Sequence, residues 1–307
     1  MAQHFVCLTF DYDNTSPGIA REQTTPTAIS RGDFGVVGAE RLVRLMAKHR
    51  IRTTWFIPGH TLESYPASSR AVFEAGHEIG HHGWTHRVPA SLGREVEERE
   101  LVRGNEAIKA LTGDYARGYR SPSWDLSPHS IELLLKHGFA YDSSLMGHDY
   151  LPYQARDGDV ATLEEPIQFG PDTALVEMPI SWSLDDFPVF EFSRTPTGYL
   201  PGLMNAESVG ANWLADFTYM AAHYDWGILT YTMHPHVIGR GHRLLMLEGL
   251  IERLRDAGAV FVTMEEAVAE YRKKYPEGRS FFLSSPVGGG GHRRGGGGQK
   301  PGSLIRD

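Results

Sequence analysis

Short apolar runs alternate with amphipathic helical patterns along most of this chain, and that alternation narrows the fold more than any other feature. Residues 5–10 (FVCLTF) are nearly all apolar, the pattern of a strand buried on both faces of a parallel sheet. A polar stretch with Pro and Gly follows from Asp11 to about Asp33 and reads as a long loop. Residues 39–49 carry Leu42, Val43, Leu45 and Met46 on one stripe, as a core-facing helix does. Residues 52–57 read as a second strand closed by Pro58-Gly59, residues 68–75 as a helix stopped by Gly76, and residues 77–80 as a very short third strand. Helices are expected over 96–111 and 131–137. Beyond Asp142 the pattern weakens, and 147–175 is rich in loop formers. It returns with strands at 175–180 and 227–233, a helix at 244–257, a last strand at 260–263 and a helix from 264 to 271.

This alternation predicts an α/β fold, a parallel sheet covered by helices and either open or closed into a barrel. No long polar linker interrupts it, so residues 1–283 read as one domain. Residues 284–307, with two runs of four glycines around His292-Arg293-Arg294, read as a flexible Gly-rich tail. Functional groups are expected in loops at the C-terminal ends of the strands.

Charge and composition exclude several classes. The chain of 307 residues has a net charge of −8. Its tail carries four basic residues and one acid, so residues 1–283 hold 26 basic and 37 acidic groups. A body this acidic repels phosphate backbones, which argues against nucleic-acid and anionic-membrane partners. Cys7 is the one cysteine, so neither an intramolecular disulfide nor a cysteine-built zinc site can form. No window approaches the roughly 18 apolar residues of a membrane span, and the N-terminus lacks a secretory pattern. The expectation is a cytoplasmic protein.

Four short elements carry chemistry. Asp11-Tyr12-Asp13 ends the first strand, and carboxylates at i and i+2 on extended chain point the same way. Close together they call for a cation or a proton, although an Asx turn at an acidic loop start gives the same letters. In His82-Gly83-Trp84-Thr85-His86, imidazoles at i and i+4 on a helical turn share one face, as metal ligands do. His77 and His81 have the same spacing among 15 histidines. Two His and one Asp leave an open position on zinc, with the second carboxylate free to act as a base. His234, in Thr232-Met233-His234-Pro235-His236, sits at a strand end, and Arg120-Ser121-Pro122-Ser123-Trp124 offers a guanidinium for a carboxylate and an indole for a groove.

In order, these elements resemble the NodB-type polysaccharide deacetylases, carbohydrate esterase family four. The resemblance rests on the Asp pair after Leu8-Thr9-Phe10, on His82 and His86 after Gly76-His77-Glu78-Ile79-Gly80, on Arg120 and Pro122 with Trp124 one position late, and on His234. It implies a distorted (β/α) barrel of about seven parallel strands and a divalent metal, usually zinc, held by Asp13, His82 and His86. It further implies Asp11 as general base, His234 as general acid and Arg120 as the holder of Asp11. Tyr12, Trp124 and Trp182 are the expected substrate-binding residues. A carboxylate should support His234: Asp142 is the first nomination, with Asp149 and the pair Asp185-Asp186 as rivals.

Two departures, Asp-Tyr-Asp in place of adjacent aspartates and His-Pro-His at the last motif, resemble a subgroup that includes intracellular-type peptidoglycan deacetylases and metal-poor or metal-independent allantoinase- or cyclic-imidase-like enzymes, often tetrameric. The resemblance therefore implies a hydrolase of non-peptide carbon–nitrogen bonds and a homo-oligomer. Its substrate would be an N-acetylated saccharide such as peptidoglycan N-acetylglucosamine or, as the alternative, a small cyclic amide or ureide. A non-catalytic carbohydrate-binding protein is the remaining reading.

Overall fold

The computed structural model describes residues 3–195, 198–200 and 202–281, and the expected Gly-rich tail lies outside the described residues. The strands are β1 (Gln3–Asp11), β2 (Thr54–Ile57), β3 (Glu78–His81), β4 (Gly118–Tyr119), β5 (Tyr141–Asp142), β6 (Tyr153–Arg156) and β7 (Asp172–Glu177). After them come a small hairpin of β8 (Ser193–Thr195) and β9 (Gly198–Leu200), then β10 (Trp226–Met233) and β11 (Val260–Phe261). The main sheet runs β10-β1-β2-β3-β4-β5-β7-β6, with β11 also against β1. Its ladders are parallel except the last, where β6 returns antiparallel to β7. The expected parallel barrel is thus a curled half-barrel with one antiparallel edge. Among the described residues no ladder joins β6 to β10. The bridge between Asp185 and Thr232 and the Ile228 N–H bonded to the Tyr150 carbonyl lie beside that seam.

β1 explains how the sheet is buried on both faces. Val6, Leu8, Phe10 and Tyr12 pack in one core with Leu42 and Met46 of the helix Pro26–His49. Phe5 and Cys7 pack in the other, with Phe56, Ile228, Met264 and Val268. Thr9, Asp11 and Asp13 share the parity of this second set, because alternate residues of extended chain face opposite ways. The registers Asp11 to Phe56, Ile57 to His81 and His81 to Tyr119 bring the C-terminal ends of β1 to β4 level.

Two elements differ from expectation. The helix expected from residue 39 begins at Pro26, inside the stretch read as loop. Thr25 caps it by accepting the Ala28 N–H, and Pro26 presets the first turn. Its Gly32, Gly35 and Gly38 are buried on one stripe, where Gly32 and Gly38 meet neighbouring backbone and Gly35 meets the Asn14 side chain. The helix Ala206–His223, absent from the sequence reading, is capped by Asn205 and buries Val209, Trp213, Phe217 and Met220 at helical spacing. Among the described residues no helix is long and apolar enough to cross a membrane.

Candidate active site

Asp13, His82 and His86 meet above the C-terminal ends of β1 and β3. The two histidines do not lie on a helical turn, as the spacing had suggested. β3 ends at His81, and the chain turns through Gly83 (φ 72°) and His86 (φ 61°). The turn still brings the imidazoles to 4.9 Å between centroids. His77 and His81, spaced alike, serve the fold instead. His77 Nδ1 accepts the Thr53 N–H, while His81 bonds the Leu101 carbonyl and accepts the Gly83 N–H.

His82 Nδ1 lies 2.7 Å from the Arg120 carbonyl, which can only accept, so Nδ1 carries the proton and Nε2 presents a lone pair. That Nε2 faces Asp13 Oδ1 at 3.4 Å, and His86 Nε2 faces Asp13 Oδ2 at 3.5 Å. Asp13 Oδ1 and His82 Nε2 are both buried without a hydrogen-bond partner. Two acceptors facing each other in a dry site call for a cation between them. Ligands about 2.0–2.1 Å from a tetrahedral zinc stand about 3.4 Å apart, which matches these separations. The three ligand atoms all lie within 4.8 Å of one another. Burial lowers the pKa of His82 and His86, the latter to about 4, so both are neutral near pH 7, as a metal ligand must be. Burial raises the Asp13 carboxyl, with His82 and His234 offsetting part of the rise. The residues present fit a divalent metal.

Asp11 sits beside them, 3.9 Å from His82 Nε2 through Oδ2. Its Oδ1 accepts from Arg120 Nη1 at 2.8 Å. The guanidinium is fully buried. It also donates to Thr9 Oγ1, Ser143 O and Ser143 Oγ, and it stacks over Phe56 at 4.2 Å. Burial pushes Asp11 up, but Arg120, His82 and His234 more than offset it and hold the carboxyl below its usual range. Arg120 therefore serves both sides of the cluster, Asp11 through its side chain and His82 through its carbonyl.

His234 follows β10, with Nε2 3.8 Å from Asp13 Oδ2. Its supporting carboxylate is Asp186, not Asp142. Asp186 Oδ1 takes Nδ1 at 2.7 Å, and both oxygens lie 3.0 Å from the His234 N–H. Asp185 Oδ1 stands 3.7 Å from the same Nδ1 while capping the next helix through the Phe187 N–H. Burial alone would lower the His234 pKa, but Asp185 and Asp186 more than reverse this and hold it well above the usual imidazole range. Asp142 ends β5 on the other side of Arg120 and bonds Ser144, and Asp149 is exposed against His148. Nothing in the spacing distinguishes these acids. The seam of the half-barrel, which sets Asp185 against Thr232 of β10, decides between them.

The expected aromatic residues divide. Trp124 and Trp182 stack at 4.0 Å, Trp124 buried and Trp182 42% exposed, which forms a flat apolar wall. Tyr12 is fully buried in the helix-side core against Trp55 and bonds Ser68, so it does not line the site. It points away because both its neighbours point in. Sequence reasoning missed Thr9 and Ser143, the other holders of Arg120. The hydroxyls around the ends of β1 and β5 were the available signal. Asn14, His86, Ser123 and Trp124 all have positive φ, so backbone strain of about 1 kcal/mol or more each gathers around this site.

Comparison with known proteins places the chain in a family. Residues 2–141 match the model for polysaccharide deacetylase. The chain is 38% identical over 267 residues to the peptidoglycan deacetylase of Helicobacter pylori, an alignment spanning 83% of this chain and 90% of that protein. The chain belongs to the polysaccharide deacetylase family. It is thereby a hydrolase of carbon–nitrogen bonds other than peptide bonds. A peptidoglycan deacetylase-like protein of Gibberella zeae is 27% identical, over 87% of this chain and 86% of its own. A structure from Mycobacterium smegmatis described as a polysaccharide deacetylase superposes with a TM-score of 0.77 at 29% identity, covering 93% of this chain and 95% of that one. Puue allantoinase shares the fold, with a TM-score of 0.73 at 17% identity over 90% and 92% of the two chains.

Proposed function

We propose that this family member removes the acetyl group from an N-acetylated saccharide, with peptidoglycan N-acetylglucosamine the first candidate, and that it depends on a divalent metal, zinc first. The observation that carries the reading is the buried gap between Asp13 Oδ1 and His82 Nε2, with a fixed carboxylate on one side and a protonated imidazole on the other. The likeness, over 83% and 87% of this chain, to a peptidoglycan deacetylase and a peptidoglycan deacetylase-like protein supports the substrate.

A metal held by Asp13, His82 and His86 would polarise the amide carbonyl and make hydroxide available near neutral pH. The rest falls to side chains. Asp11, ionised and fixed by Arg120, accepts the proton of the attacking water. His234, charged through Asp185 and Asp186, donates its Nδ1 proton in a hydrogen bond to Asp186 and turns Nε2 toward Asp13, from where it protonates the departing nitrogen. The Trp124–Trp182 wall gives the sugar ring an apolar face to lie against.

Acetate release from an N-acetylglucosamine oligomer, measured beside turnover of allantoin and succinimide with zinc present, tests the reading. Turnover of the cyclic amides alone would replace it with a ureide hydrolase on the same scaffold, and glycan binding without product would replace it with a binding protein. Cytoplasmic placement and a homo-oligomer, a tetramer by resemblance, complete the proposal and are read by cell fractionation and light scattering.

A further inference from the structure

Asp142 and Glu177 are opposite partners in the ladder where β5 and β7 end, and both are completely buried. One oxygen of each is satisfied. Glu177 Oε1 accepts the N–H groups of Ser144 and Leu145, each at 2.8 Å, and Asp142 Oδ1 accepts the Ser144 hydroxyl at 2.7 Å. The other two, Asp142 Oδ2 and Glu177 Oε2, are buried and receive no donor from any other group. Two ionised carboxylates in that position repel in a low dielectric, whereas one proton between them turns the repulsion into a hydrogen bond. Burial raises both acids. The charged and titratable groups around them are Arg120, which favours the remaining negative charge, and Tyr119 and Tyr153, both kept neutral by burial and by these acids.

The pair anchors the turn that holds Arg120. Ser144 Oγ, bonded to Asp142, accepts the Ser121 N–H at 2.9 Å, and Ser143 receives Arg120 Nε on its carbonyl and Nη2 on its hydroxyl. Arg120 in turn fixes Asp11. We propose that Asp142 and Glu177 share a single proton and act as a positioning pair, setting Arg120 and through it the carboxylate of Asp11. The second half of this statement rests on Asp11 being the base proposed above; the first half does not.

The test uses the full chain loaded with zinc and two variants, Glu177→Gln and Glu177→Leu. Gln replaces the protonated acid with a neutral donor and still accepts the two N–H groups, so kcat/KM for acetate release stays within about threefold near pH 7. Leu removes the group facing Asp142 Oδ2 and strands the N–H groups of Ser144 and Leu145, which lowers kcat about 10- to 100-fold with zinc content unchanged. Unfolding by denaturant between pH 5 and 9 reads the proton itself. A folded-state pKa above the unfolded value means the wild type loses stability as pH rises toward the folded value, by up to about tenfold in the folding equilibrium per pH unit. Glu177→Gln lacks that loss, so its stability gains on the wild type as pH rises. Parallel stability curves would overturn the shared proton, and a Gln variant as inactive as Leu would overturn the positioning role. If the wild type itself releases no acetate, the proposed reaction fails while the unfolding curves still decide the proton.

Discussion

With His234 as the acid proposed above, its bond to Asp186 should set how far toward alkaline pH the site works. In Asp186→Asn, the amide oxygen can take the place of Oδ1 and keep both His234 Nδ1 at 2.7 Å and the backbone N–H at 3.0 Å, so geometry survives while charge is lost. A hydrogen bond to a charged group contributes about 1.5–3 kcal/mol, and 1.36 kcal/mol is one factor of ten. The imidazolium is thus disfavoured about 10- to 100-fold against the neutral ring, with Asp185 at 3.7 Å left as its nearby carboxylate. His234 is raised well above the usual range, so it holds its proton below that raised value and gives it up as pH climbs through it. Loss of the Asp186 charge brings that point toward neutrality. The alkaline limb of kcat/KM for acetate release should move to lower pH. The acidic limb, set by the lowered Asp11 carboxyl, should stay. An alkaline limb that does not move in Asp186→Asn refutes His234 as the acid that Asp186 supports.

The metal and base roles separate by substitution. Asp13→Ala should lose bound zinc and turnover together, whereas Asp11→Asn should keep zinc by metal analysis and lose about 10²–10⁴-fold in kcat, the usual contribution of a general base. Retained turnover in Asp11→Asn removes it from that role. Trp182→Ala leaves Trp124 in place and removes a 42% exposed ring stacked at 4.0 Å. It should raise KM for a saccharide oligomer about threefold to tenfold, in line with an aromatic contribution of about 0.5–1.5 kcal/mol, with little change in melting temperature.

Much of this was legible in the sequence because strand ends concentrate function. Asp11, Asp13 and His234 were marked by apolar runs stopping at a polar group, His82 and His86 by their spacing and Arg120 by its guanidinium beside Pro122, and the structure gathers all six. The helical reading of His82 to His86 failed because i, i+4 spacing does not distinguish a helix from a turn with two positive φ values. Tyr12 was misplaced although the period-two rule used for its neighbours assigns it to the other face. The partner of His234 was not readable, because Asp142, Asp149 and Asp185-Asp186 differ only in where the seam of the sheet falls. The 26–38 part of the long helix was hidden by its glycines, each of which disfavours a helix by about 1 kcal/mol relative to alanine.

Those glycines link the two halves of the site. A Cβ on Gly35 would stand 1.9 Å from Asn14 Oδ1, and one on Gly32 would stand 2.4 Å from Thr15 Cγ2, both on the segment that follows Asp13. A Cβ on Gly38 would stand 1.9 Å from the Pro235 carbonyl, on the segment that follows His234. One helix face therefore presses on the loop after Asp13 and on the loop after His234, which ties the spacing of these two residues to a single helix. Alanine at either place should destabilise by about 1–3 kcal/mol, as overpacking does, but with different functional losses. Gly38→Ala must displace backbone next to His234, so kcat should fall while zinc affinity holds. Gly35→Ala must displace Asn14 next to Asp13, so zinc affinity should fall first. Titration calorimetry with zinc beside kcat at saturating metal separates the two. Equal losses of both quantities in both variants would mean that the helix supports the fold as a whole and does not hold the two loops separately.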